Sequence, residues 1–228
     1  MGYNLDSVKF AIEGDHSLNT YHRENLRSEL IEEGIRLIHQ GSTQKLSLRK
    51  IAEACGVSHS APYSHFKNLA DLLACMQQHI IDQLIGQMEA IIALHDDKTA
   101  MQLMIDLGRC YVLFFIDHPA FFTFLFAQNC GDTNLSLEDD DSGNFRPFAL
   151  FKATVLPIFD ANGIPETRWE DKLISCWATV HGLSTIANMK GVHYSRNWSE
   201  KVEDILWMKN IEGHCKETPS TYGKRGKG

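Results

Sequence analysis

Apolar residues recur at helical spacing along nearly the whole chain, and nowhere do they alternate in the two-residue rhythm of a half-buried strand. That single feature limits the protein to an all-α fold. Leu26, Leu30, Ile31, Gly34, Ile35 and Ile38 draw one face of a helix over residues 21–40, which Gly41 ends. Ser47 is placed to cap a second, short helix carrying Leu48, Ile51 and Ala52 and stopped by Gly56. Ser58 is placed to cap a third through Phe66, and Leu69 opens a long fourth helix that reaches Leu94. The spacing predicts further helices over 98–117, 119–128, 145–161, 166–190 and 199–212, about nine in all. Pro119 would occupy a first turn, where its missing N–H costs no bond.

Within 228 residues the sequence divides into a flexible lead-in (1–18), a small head (19–75), a larger helical body (76–213) and a disordered tail (214–228). Charge follows the same division. Residues 21–75 hold seven Lys/Arg against six Asp/Glu, whereas 76–228 hold fourteen against twenty. A net charge of −7 argues against indiscriminate binding to a polyanion but leaves room for DNA binding by the head alone. Lys224, Arg225 and Lys227 read as part of the solvated tail, and the acidic run Glu138-Asp139-Asp140-Asp141 as solvated loop without EF-hand spacing.

The six cysteines are scattered without a Cys-x-x-Cys pair, which fits reduced thiols in a cytoplasmic protein. No stretch approaches the roughly 18 unbroken apolar residues of a membrane helix, so no membrane partner is expected. An enzyme is disfavoured by the lack of a nucleophile elbow, a phosphate-cradling glycine loop or an H-E-x-x-H pair. Neither a catalytic nor a metal site is expected, nor a cofactor. Cys75 and His79 share a helix face, but two ligands do not make a zinc site.

The segment that carries chemistry runs from Leu48 to Lys67. Two short helices meeting steeply need a small residue at their contact, a glycine that accepts positive φ at the turn and an apolar plug after it. Ala52, Gly56 and Val57 supply these in order, at the spacing of a helix-turn-helix. With Ile51-Ala52, Gly56-Val57-Ser58, Tyr63, His65-Phe66-Lys67 and Leu72-Leu73 in register, residues 21–75 resemble the TetR family of transcriptional regulators. The chain departs from that pattern at Leu69, where the family often has lysine, and at Pro62, inside the third helix.

The resemblance implies a repressor that binds a palindromic double-stranded operator as a homodimer and is released by a small-molecule effector. It assigns phosphate contacts to Ser47, Tyr63, His65 and Lys67, with local core packing as the other reading of His65. Base reading falls to Ser58, His59, Ser60 and Ala61 at the exposed start of the third helix. In the body, Trp177, His181 and Gly182 resemble a W-x-x-x-H-G signature found in one class of TetR C-terminal domains. Phe114, Phe122, Phe126, Trp177 and His181 are the candidate effector contacts, with a satisfied core histidine as the other reading of His181. Ala178, Gly182, Ser184 and Ala187, together with Ile205, Leu206 and Met208, are the candidate dimer contacts. A helical ligand-binding protein whose head does not bind specific DNA is the alternative, motivated by Leu69 and the weakly basic head.

Overall fold

The computed structural model describes residues 25–41, 46–94, 100–126, 137, 145–194 and 197–212. The lead-in, the tail and most of the acidic loop lie outside these residues. Among them the fold is all-α, with eight α-helices and two short 3-10 segments. Helix α1 covers 25–39, α2 Leu48–Ala54 and α3 Leu69–Leu94. They are followed by α4 (Ala100–Asp117), α5 (Pro119–Phe126), α6 (Arg146–Ala161), α7 (Trp169–Asn188) and α8 (Trp198–Glu212). No single described helix is long and apolar enough to cross a membrane.

The chain clusters into two compact units. The first comprises the described parts of Met1–Leu84 and His118–Asp132. Its core is built by the apolar faces of α1 (Leu30, Ile38), α2 (Ile51, Ala52) and α3 (Leu72, Met76), all but excluded from solvent. Helix α2 has only seven residues, too few to persist in isolation. Burial holds it in place, at about 1.5–3 kcal/mol for a side chain such as Ile51. Gly34 explains how closely these helices approach. A Cβ there would stand 2.7 Å from Met76 Sδ and 3.5 Å from Ile51 Cδ1.

The third predicted helix is the main difference from the sequence reading. Instead of an α-helix from Ser58 to Phe66, the chain makes a 3-10 turn over Ala61–Ser64, and Ser58 caps nothing. Pro62, which has no N–H to give to the Ser58 carbonyl, is buried within this turn. The neighbouring bonds close three residues apart, Ala61 N to Ser58 O (3.0 Å) and Tyr63 N to Ser60 O (3.2 Å).

The second unit comprises the described parts of Ile85–Asp117 and Thr133–Gly228. Here α4 lies along α7 and α8, and α6 packs on α7. Gly108 lets α4 reach α8, since a Cβ there would meet Leu206 Cδ1 at 2.9 Å and Val180 Cγ1 at 3.2 Å. Leu206 and Ser184 are therefore interior to this unit and not available to a partner chain, unlike Ala178 and Met208, which are exposed. Ser184 Oγ is satisfied by donating to the Val180 carbonyl at 2.9 Å.

Candidate functional site

The first unit holds every residue assigned to DNA contact. Ser47 caps α2 through its Oγ, which accepts from Lys50 N at 3.2 Å. The other end of α2 is closed by Gly56 at φ +69, with Gly56 N donating to Glu53 O (3.1 Å) and Val57 N to Ala52 O (3.0 Å). This is the paired-bond helix stop that a left-handed glycine permits. It turns the chain so that Ser58, His59 and Ser60 follow as an exposed polar run, with Ala61 half-buried behind them.

Three contacts hold that run. Ser58 Oγ and Ser60 Oγ stand 3.1 Å apart, Ser64 Oγ donates to Ala61 O at 2.7 Å, and His59 Nε2 lies 3.1 Å from Glu53 Oε1. The same Glu53 oxygen accepts from Arg49 Nε at 3.2 Å, and that bond, foremost, keeps the carboxyl below its usual pKa range. Glu53 thus ties together a base-reading candidate and a cation of α2, a link the sequence reading missed. The i, i+4 spacing of Arg49 and Glu53 was a visible signal for half of it.

Tyr63, at 63% exposure, and Lys67 project from the same stretch, whereas His65 is half-buried with its ring 6.3 Å from that of Phe66. Phe66 is buried beneath the Arg27 guanidinium, 5.5 Å above its ring, and so anchors the stretch to the core. Beyond it, Asn68 Oδ1 accepts from Asp71 N (3.0 Å) while Asp71 Oδ2 accepts from Lys67 N (2.9 Å). These reciprocal caps place Lys67 at the N-terminus of α3, where its ammonium and the positive end of the helix dipole both favour a nearby anion.

The second unit contains a cavity of about 140 Å³. One face of α4 (Met101, Met104, Tyr111), one of α7 (Lys172, Cys176, Thr179) and Phe151 and Phe159 of α6 contribute to its walls. Of the five expected effector contacts, only Trp177 lines it. His181 stands one step back, its Nδ1 3.2 Å from the hydroxyl of the lining residue Tyr111 and its ring stacked 5.7 Å from Trp177. Burial lowers the pKa of His181. Phe114 is buried against Phe115, and Phe122 and Phe126 lie in the first unit with their rings 4.9 Å apart. Among the described residues no three His, Cys, Asp or Glu side chains are grouped to hold a metal ion.

Residues 30–76 match the sequence model of the family described as "Bacterial regulatory proteins, tetR family". A search of curated protein sequences finds no match. Among solved structures, a protein of unknown function from Rhodococcus sp. RHA1 superposes with a TM-score of 0.65 at 21% identity, covering 81% of this chain and 94% of that one. A TetR/AcrR-family transcriptional regulator from Thermobifida fusca gives 0.53 at 17% identity, covering 83% and 98%. The regulator FadR from Bacillus subtilis, solved with stearoyl-CoA, gives 0.57 at 15%, covering 78% and 96%. At these identities the structures speak to the fold, and the sequence match speaks to the head. The sequence match to tetR-family bacterial regulatory proteins covers residues 30–76, and the solved structures share the fold of the chain.

Proposed function

We propose that the protein is a repressor that binds a palindromic operator as a homodimer and releases it when a small molecule fills the cavity of the second unit. The observation that carries this reading is the construction of the head. A capped α2 ends at a left-handed glycine, and the next turn offers short polar side chains at an exposed position with Tyr63 and Lys67 beside them. Hydroxyls, an ammonium and a helix N-terminus suit phosphates, and short side chains at the start of a turn suit base edges in the major groove.

Dimerisation is supported by apolar side chains left in solvent on one face of α7. Ile174 and Ile186 are exposed there, as are Met189 just past its end and Met208 of α8, and Gly182 of α7 has nothing within 4 Å of where its Cβ would be. A second copy of this chain covers such a face symmetrically. The effector role rests on the cavity, and the FadR structure with its stearoyl-CoA is an instance of this fold accommodating a small molecule. Effector binding then alters the spacing of two heads that must meet half-sites about one helical turn apart.

The deciding experiment is selection of bound duplexes from a random-sequence library by the purified full chain. Enrichment of one palindrome is expected. No enrichment at low salt would move the assignment to a ligand-binding protein with a silent head.

A further inference from the structure

Lys172 is the one charged residue in the cavity lining, and its side chain is half-buried. Among the described residues it has no ion-pair partner. The other walls are mainly apolar or aromatic, with Asn162, Ser175 and Thr179 among them, and Lys172 lies about 7.5 Å earlier along α7 than Trp177. A cation that no described carboxylate meets, in the wall of a mainly apolar chamber, favours a ligand that brings negative charge. An apolar cavity of about 150 Å³ takes up benzene, so about 140 Å³ accommodates a body of one six-membered ring.

We propose that this cavity binds a small monocarboxylate, an apolar body of about one ring whose carboxylate pairs with Lys172. The inference rests on the reading of the cavity as the effector site and names the chemical class that site takes. Tyr111, Trp177 and Phe159 supply the faces on which the ring packs, and three methionines (Met88, Met101, Met104) supply adaptable walls around it. A dicarboxylate would bring a second charge with no second cation among the lining residues to meet it.

The test is a ligand-detected NMR titration of the full chain with benzoate and with benzyl alcohol, which presents the same ring without the charge. Benzoate is expected to bind roughly tenfold more tightly at pH 7, the scale of one charge-assisted hydrogen bond. Lys172→Met should abolish that preference, and Lys172→Arg should keep it. Thermal melting of both variants checks that they fold. Equal binding of the two probes, or a preference that survives Lys172→Met, overturns the proposal while leaving the cavity a ligand site. If neither probe binds, the reading of the cavity as the effector site fails along with it.

Discussion

Glu53 Oε1 stands 3.1 Å from His59 Nε2 and also accepts from Arg49 Nε at 3.2 Å, so one carboxylate engages both a cation of α2 and a side chain proposed to read bases. In water such exposed pairs are weak, but beside a phosphate backbone the negative charge opposes binding outright. Glu53→Gln should therefore raise affinity for random DNA by up to about fivefold at 0.1 M salt. It should also steepen the salt dependence by about one counterion. Because His59 loses its tether, the gain on operator should be smaller than on random sequence. Fluorescence anisotropy at several salt concentrations reads both quantities, and unchanged affinity would mean that this edge of α2 does not approach DNA.

His59→Ala and Lys67→Ala should separate the two kinds of contact. His59 is exposed at the start of the turn, the position from which base edges are reached, so its loss should weaken operator binding far more than binding to random DNA. Lys67 sits at the N-terminus of α3, suited to phosphate, so its loss should weaken all sequences alike and make the salt dependence shallower by about one. Equal losses on both duplexes for His59→Ala would remove it from the base-reading set.

Most of the helix pattern was legible because helical spacing of apolar residues is a direct record of which face is buried. Helix α3 was placed at 69–94 from spacing alone, and Ser47 and Gly56 bracketed α2 because capping and left-handed φ each demand particular residue types. The third helix departs from the expectation because the spacing of apolar residues does not distinguish one α-helical turn from the 3-10 turn that the chain makes over Ala61–Ser64. In the second unit, an aromatic residue facing a cavity and one facing packed core look alike in sequence. Spacing therefore does not separate Phe114, buried against Phe115, from the lining residues Tyr111 and Phe151, and nothing in it marks Lys172 as a wall residue.

Gly56→Ala should destabilise the head by about 1–2 kcal/mol, the cost of placing a Cβ at positive φ. No atom lies within 4 Å of that Cβ, so the penalty is conformational and not a clash. Asparagine tolerates the left-handed region better, and Gly56→Asn should lose less. Chemical denaturation of the three proteins orders them. An alanine variant as stable as the parent would mean that the stop of α2 does not depend on glycine.

His181 gives the second unit a pH-dependent element. Burial lowers its pKa below the ordinary 6.5, so the folded protein keeps the ring neutral where the unfolded chain already takes up a proton. As pH falls through 6.5 the unfolded state binds more protons than the folded one, and stability declines until the folded-state pKa is passed. His39 shifts in the same direction through burial and its neighbour His118, so the whole-protein curve has more than one source. The comparison must therefore be between variants. His181→Gln should lower stability at pH 7.5 by about 1 kcal/mol through the lost contact with Tyr111. Between pH 7.5 and 5.5 it should then lose less than the parent does, because the buried titrating ring is gone. Thermal melts of both proteins at the two pH values make the measurement. Parallel losses would show that His181 is not a source of acid sensitivity and that its environment admits the protonated ring.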